Sequence, residues 1–389
     1  MAQSKKNNDS PTGHGDTSPR LLEVDRIPEG VRDTLAAHDI THVDQLTSVA
    51  GISSAREALR SELGISEEEL HAVVDAARTR SSGTAAAAPG PARSLGAMRP
   101  PASDLAKARS LPFASTRAGI PKLPPKVNFV SKMSPIRDQG NRGTCVAFCL
   151  TAIHEYATHP KPDFSERHLY YLAKHIDGEP SQCGTHQSAA SRALRTSGQC
   201  VEAIWAYNAS AACNAHGTPP HNAATDATQH KISLSAVNPH DIVGIKSALA
   251  QGRPVGISVP VYNSWYQSPT TDRTGRITMP FPGEQDVGGH CMCIVGYQDD
   301  TASTVTETPG GGYFILRNSW STHWGRQCQY GAGYGTIPYA YIAAYNWESY
   351  TLPQAAPKKK TKASGGTKKR AAKRVAKAAK RKAARKSRR

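Results

Sequence analysis

The sequence predicts an α+β domain built as two lobes, with a small all-helical module ahead of it. Three observations carry this prediction. In residues 119–352 the first half reads as helices, the second half reads as short β-rich runs, and all five tryptophans and all eight cysteines fall in this one segment. Helices first and strands after describe an α+β arrangement rather than an alternating one.

The elements follow in order. Helical patterns cover Cys145–His159, Glu166–His175, Ser188–Ser197 and Pro239–Gln251, the first with Val146, Ala147, Phe148, Leu150 and Ile153 on its apolar positions. Pro254–Val261, Gly289–Gly296 and Gly312–Arg317 are the β-rich runs. Outside this domain the chain divides by composition. Residues 1–20 are polar and read as disordered. Residues 21–80 read as a helical module, 81–118 as an Ala/Pro/Gly/Ser-rich linker, and 353–389 as a disordered basic tail. In 21–80, Ser66 to Glu69 form a capping-box pattern ahead of Leu70, Val73, Val74 and Ala77 at helical spacing. Thr41 stands where it can cap a helix carrying Val43, Leu46 and Val49, and Gly51 and Gly64 break the helices. No internal repeat is present.

Charge is unevenly placed. Of 48 lysines and arginines, 17 lie in residues 357–389 with no acid among them; the other 31 are matched by 31 acids. The body therefore needs no polyanionic partner. Residues 1–20 lack the apolar core of a signal peptide, and no stretch approaches the ~20 apolar residues of a membrane span. A cytoplasmic protein is expected, with export by a leaderless route as the alternative. In a reducing compartment the cysteines should be mostly thiols. No C-x-x-C pair occurs and His290-Cys291-Met292-Cys293 has poor ligand spacing, so neither a metal nor a cofactor is expected.

The chemistry begins at Gln139-Gly-Asn-Arg-Gly-Thr-Cys145. Gly140 and Gly143 mark a turn, and the helix starts at the cysteine. A thiol there meets unpaired N–H groups and the positive end of the helix dipole, which favour thiolate. Gln139 can reach back across the turn and donate its amide to a developing oxyanion beside the Cys145 N–H. Alone, Cys145 reads first as an inert core thiol. Two later stretches alter the balance: Gly288-Gly289-His290 puts a histidine at the mouth of a strand, and Tyr313 to Trp320 brings a strand to Asn318 and then to an indole. Cys149, one turn past Cys145, reads as a packing residue or a redox partner. Cys291 and Cys293 alternate along a strand and point to one face.

These three stretches, in this order, resemble the active-site blocks of the papain (C1) family of cysteine peptidases, in its bacterial form, and supporting blocks from Leu123–Phe129 to Gly333–Gly335 extend the likeness over about 230 residues. The resemblance implies a fold with a helical lobe and a β-barrel-like lobe. It implies Cys145 as nucleophile, His290 as acid and base, Asn318 as the group orienting His290, Gln139 in the oxyanion hole, and Trp320 as the indole shielding the Asn–His bond. His290 lies 145 residues after Cys145, within the papain-like interval. Two positions depart from the pattern: Arg142 replaces a cysteine that would form a disulfide, and Val146 replaces a tryptophan, which should loosen the packing around the thiol. Residues 299–312 form an added loop. The helical inhibitory propeptide of lysosomal members is not evident, so zymogen control by that route is not expected.

Two flanking segments carry weaker likenesses. Asp39 to Leu46 and Leu63 to Ser66 resemble tandem helix-hairpin-helix modules, but their glycine-rich phosphate-gripping hairpin is not evident. A protein-interaction or spacer bundle is an equal reading for 21–80. Residues 358–389 resemble the Lys/Ala-rich tails of linker histones and histone-like bacterial proteins. Lys368, Lys369, Arg370, Lys373, Arg374, Lys377, Lys380, Arg381, Lys382 and Arg385 imply salt-sensitive, sequence-blind binding of nucleic acid; a solvated tail without a dedicated partner is the alternative. The expected function is thus a cysteine-type peptidase, endo- or exo-acting on protein or peptide substrates, tethered to nucleic acid and associated with the nucleoid. An inactive scaffold that only binds, and a thioester-forming transpeptidase or amidase, are the competing readings.

Overall fold

The computed structural model of the chain describes residues 18–80, 93–113, 122–158, 162–301 and 307–354. Four helices open the described chain: α1 (Glu29–Ala37), α2 (Val43–Ala50), α3 (Ser53–Leu63) and α4 (Glu67–Arg80). Their apolar faces close on one another through Leu35, Val43, Leu46, Leu59, Leu70 and Val74, all buried. The capping box at α4 is formed, Ser66 N–H donating to Glu69 Oε2 at 2.7 Å and Glu69 N–H to Ser66 Oγ at 3.2 Å. At α2 the capping falls to Gln45 rather than Thr41: Gln45 Oε1 accepts both the Thr41 and His42 N–H groups, at 2.9 and 3.0 Å.

Helix α5 (Ala102–Arg109) and strand β1 (Lys126–Asn128) lead into the main domain. Helices α6 (Cys145–Ala157), α7 (Glu166–Asp177), α8 (Gln187–Thr196) and α9 (Ala223–Ala227) form its first part. The rest contains β2 (Ser235–Val237), α10 (Ile242–Ala250), β3 (Val255–Tyr262), α11 (Asn263–Tyr266), α12 (Pro269–Thr274), β4 (Asp286–Asp299), β5 (Gly312–Arg317), β6 (Tyr334–Pro338), α13 (Tyr339–Tyr345) and β7 (Glu348–Thr351). Among the described residues the strands make one antiparallel sheet in the order β2-β7-β3-β4-β5-β6, with β1 added to the far end of β4. Strand β4 is its spine; Val259 of β3 pairs with His290, and Cys293 pairs with Arg317 of β5.

Helix α6 lies against β3 and β4, and their shared core joins the lobes. Val146 is fully buried in it, so the smaller side chain leaves no opening at the surface. Cys291 and Cys293 both reach Cys149 of α6, which accounts for this trio as packing between the lobes. A Cβ on Gly256 would come within 3.0 Å of the Cys149 sulfur, so the strand passes the helix at glycine distance. Glu348 completes the junction: its carboxylate accepts the first N–H groups of α8, from Gln187 at 2.9 Å and Ser188 at 3.2 Å, closing a helix end with an anion.

The helical module is packed on the sheet-bearing part of the main domain. Phe281 sits in the module's own core. Asp39, held at a φ of 61°, turns its carboxylate to Arg276 in a two-pronged pair of 2.7 and 3.0 Å. Arg273 pairs with Asp44, and Ser48 Oγ meets Thr270 Oγ1 at 2.7 Å.

The stretch that composition assigns to a linker is not a spacer throughout. Residues 93–98 are bonded to the main domain on both sides, and the end of α5 is tied down by Asn238, whose Nδ2 donates to the Arg109 and Leu111 carbonyls. A linker composition says only that such a segment cannot bury a core of its own; it can still lie in a groove supplied by another segment. Residues 1–17 and 355–389, with every tail lysine and arginine named above, lie outside the described residues.

Candidate active site

The turn Gln139–Thr144 delivers Cys145 to the first position of α6, as the sequence predicts. Its sulfur accepts the Cys291 N–H at 3.4 Å. Because Cys291 follows His290 directly, this bond holds the sulfur against the main chain that carries the imidazole. His290 Nε2 is 2.8 Å from Asn318 Oδ1. That Oδ1 also accepts the Ser319 N–H at 2.8 Å, which identifies it as the amide oxygen. Nε2 must therefore carry the proton, leaving Nδ1 as a bare lone pair; it is buried and has no hydrogen-bond partner among the described residues. Trp320 stacks on the ring, centroids 4.3 Å apart and planes 20° apart, covering the His290–Asn318 bond. Strands β4 and β5 thus set the imidazole, and the chain just past β5 sets its partner and its shield.

Gln139 is held from three directions. Its N–H donates to the Ser319 carbonyl at 2.9 Å, its Oε1 accepts the Ser319 hydroxyl at 2.6 Å, and Tyr207 donates to its carbonyl at 2.8 Å. With Oε1 occupied, Nε2 is the free edge, and it donates to the Arg142 carbonyl at 2.7 Å and the Ser94 carbonyl at 3.0 Å.

The last bond leads to the feature that sequence reading missed: residues 93–98 cross the site as a strap. Gly96 and Ala97 N–H both donate to the Gly289 carbonyl at 3.0 Å, and the Gly96 carbonyl accepts Thr185 N–H while Met98 N–H donates to the Thr185 carbonyl, each at 3.0 Å. The Gly96 N–H also acts on the Cys145 sulfur. A Cβ at position 96 would lie 2.1 Å from the Gly143 carbonyl oxygen, so only glycine passes there. Gly288 and Gly289 have Leu95 and Ala97 against them. The strap explains why Cys145 and His290 are both fully buried.

Burial in turn sets the charge state. It pushes the Cys145 thiol up to about 12, over the opposing pull of the Cys291 and Gly96 N–H groups. It takes the His290 imidazole down to about 4, against the Asn318 hydrogen bond and with help from the Arg93 charge. The thiolate that the helix start favours is therefore held as a neutral thiol beside a neutral imidazole beneath the strap.

Arg142, in place of a cysteine, spreads its guanidinium over Tyr170 and Tyr207 at 5.8 and 5.4 Å and donates to the Asn208 and Ala215 carbonyls. Cys183 and Cys213 are joined in a disulfide, so the expectation of mostly free thiols holds for six of the eight cysteines. Cation and disulfide tie the same 206–217 loop to the turn before α6 and to the chain before α8. Among the described residues no group of three or more His, Cys, Asp or Glu side chains is placed to hold a metal ion.

Residues 123–339 match the sequence profile of the papain family cysteine proteases. The chain belongs to the papain family of cysteine proteases. Within that family it is 28% identical over 226 residues to a peptidase C1-like protein of Acanthamoeba polyphaga mimivirus, covering 54% of this chain and 67% of the relative. It is 25% identical over 218 residues to cysteine proteinase 3 of Entamoeba histolytica, covering 54% and 63%. The match thus spans about two-thirds of these papain-family relatives. The fold is that of xylellain, a cysteine protease from Xylella fastidiosa, with a TM-score of 0.52 and 24% identity over 70% of this chain and 100% of the other.

Proposed function

We propose that the chain is a thiol peptidase working through Cys145, His290, Asn318 and Gln139, and that the described conformation is its latent form. The observation that carries this reading is the tautomer of His290: Nε2–H is committed to Asn318, so the bare Nδ1 is the atom left to take the Cys145 proton. With the cleft open, the thiolate attacks a peptide carbonyl, its oxyanion receives the Gln139 amide now given to Ser94, and His290 returns the proton to the leaving amine. Water then hydrolyses the thioester with His290 as base. The strap cannot follow this course. Its earlier residues, Arg93 and Ser94, lie toward Trp320, where the amine half of a substrate departs, so its backbone runs opposite to a substrate's.

In the same proposal the helical module anchors the strap's leading end, and the 358–389 tail holds the enzyme near nucleic acid in the cytoplasm. Seventeen cations without an acid support that role through counterion release, and a DNA stimulation of cleavage that disappears at high salt is its test. The peptidase reading is tested by incubating the full chain and its Cys145→Ala variant with denatured protein. New peptide termini formed only by the parent chain support it; transfer products instead of hydrolysis would favour a transpeptidase, and no reaction from a strap-released variant would leave only a binding scaffold.

A further inference from the structure

Beside His290 the strap places an arginine in a pocket that the reaction scheme does not use. The Arg93 guanidinium donates to Asp272 Oδ1 at 2.6 Å and to the Trp320 carbonyl at 3.0 Å, and lies 5.7 Å from the Trp320 ring centroid. Arg93 and Asp272 side chains are each only 16% exposed. Tyr266 forms the remaining wall, its hydroxyl bonded to the Arg93 main chain and its ring edge-on to Trp320. Asp272 is fixed by its own backbone, which accepts the Gly325 N–H at 2.7 Å and sits in α12. Among the described residues its second oxygen is met by Arg326, 3.5 Å away on a half-exposed side chain.

A mostly buried carboxylate, a carbonyl and a ring face converging on one point suit a planar cation, and a guanidinium above all. When the strap leaves, these groups stay, and Oδ1 loses its partner. The pocket's place along the substrate follows from the chemistry. His290 must protonate the leaving amine, Trp320 covers the outer face of His290, and the Arg93 charge is felt by that imidazole. A side chain in this pocket therefore belongs to the part of the substrate that departs as the amine. The strap's reversed backbone does not alter this, because the pocket selects a side chain and not a chain direction.

We propose that Asp272 is a specificity-determining residue: with Trp320 it forms a subsite for an arginine or lysine on the leaving-group side of the scissile bond, and Arg93 is its built-in stand-in. The proposal rests on the peptidase reading above and narrows its substrates to peptides basic just after the cut.

The test compares two internally quenched peptides that differ only at the residue following the scissile bond, arginine in one and citrulline, its neutral isostere, in the other. Both are given to the full chain, to Asp272→Asn and to Asp272→Glu. The ratio of the two kcat/KM values within one protein is the readout, since any change in how often the strap opens cancels from it. The parent chain is expected to favour arginine by about tenfold or more, the usual worth of a partly buried charge-assisted bond. Asp272→Asn should bring the ratio to within about twofold of one, and Asp272→Glu should restore a preference. Equal cleavage of both peptides by the parent chain, or a full preference surviving in Asp272→Asn, overturns the subsite while leaving the peptidase intact. Cleavage of neither, even by a strap-released variant, overturns the peptidase reading on which the subsite rests.

Discussion

The turn Gln139–Cys145 and the strap Arg93–Met98 meet face to face, and they differ in where their meaning resides. Both are short, glycine-containing and without regular secondary structure. The turn carries its chemistry in its residue types: a cysteine at a helix start and an amide six residues earlier can be read without knowing the neighbours. The strap carries almost none. Ser94, Gly96 and Ala97 act through backbone N–H and carbonyl groups that every residue owns, and the strap fits only because Gly143, Gly184, Gly288 and Gly289 leave room. A catalytic turn is specified by side chains, whereas the covering segment, its Arg93 and Leu95 anchors apart, is specified by the absence of side chains on both surfaces.

The largest effect expected on the turn is that of Cys145→Ala, which should lower peptide hydrolysis by about 10⁴-fold or more while leaving the unfolding transition in place. A residual rate near that of the parent would put the chemistry elsewhere. Next comes Gln139→Ala, with a fall in kcat of about 100-fold if the amide now given to Ser94 serves the oxyanion. If KM alone rises, the amide holds substrate and not the transition state.

On the strap side, Gly96→Leu should raise hydrolysis by the full-length chain, by about tenfold, because a side chain aimed at the Gly143 carbonyl costs the closed form at least ~1.4 kcal/mol. An unchanged rate would mean that the strap leaves the cleft freely already. Cys145→Ala in the same background should silence the gain.

The smallest effect is on stability against pH. In the unfolded chain His154 and His290 titrate near the ordinary value of about 6.5, while burial holds both down to about 4 in the fold. Their depressed values give stability that is complete above about 6.5 and is lost as pH falls toward 4, on the order of 1–3 kcal/mol for each. Glu166 works the other way: burial lifts it to about 8, so the stability it contributes is complete below its ordinary value of about 4.3 and fades as pH rises through 8. Denaturant midpoints should therefore peak near pH 6.5, at about the ordinary histidine value. Gly96→Leu, with His290 hydrated, should show a shallower acid limb; identical limbs would separate the strap from the burial of that imidazole.

How much was legible follows from the same contrast. The two-lobe order, α6 beginning at Cys145, a strand carrying His290 and the Asn318–Trp320 corner are all written in residue types and periodicity; α6 and β5 begin where the sequence places them, whereas β4 starts at Asp286 rather than Gly289, so that His290 lies within the strand and not at its mouth. Cys183 and Cys213 stand 30 residues apart with nothing local to pair them. Glu348 reads as an ordinary acid, and only the meeting of β7 with the start of α8 makes it a helix cap between lobes. The docking of the helical module depends on Asp39 and Asp44 finding arginines more than 200 positions away. Such contacts have no periodicity to betray them, and the stretch containing the strap offers only the composition of a linker.

The most direct measurement is the rate and site of alkylation by iodoacetamide, mapped by mass spectrometry across the six free cysteines. A thiol made nucleophilic by an adjacent imidazole should stand out in the Gly96→Leu chain, with Cys145 modified first near neutral pH and slowly in the parent chain, and with the advantage gone in Gly96→Leu carrying His290→Ala. Uniform slow labelling of Cys145 and its neighbours in the opened chain, or labelling indifferent to His290, would contradict the account.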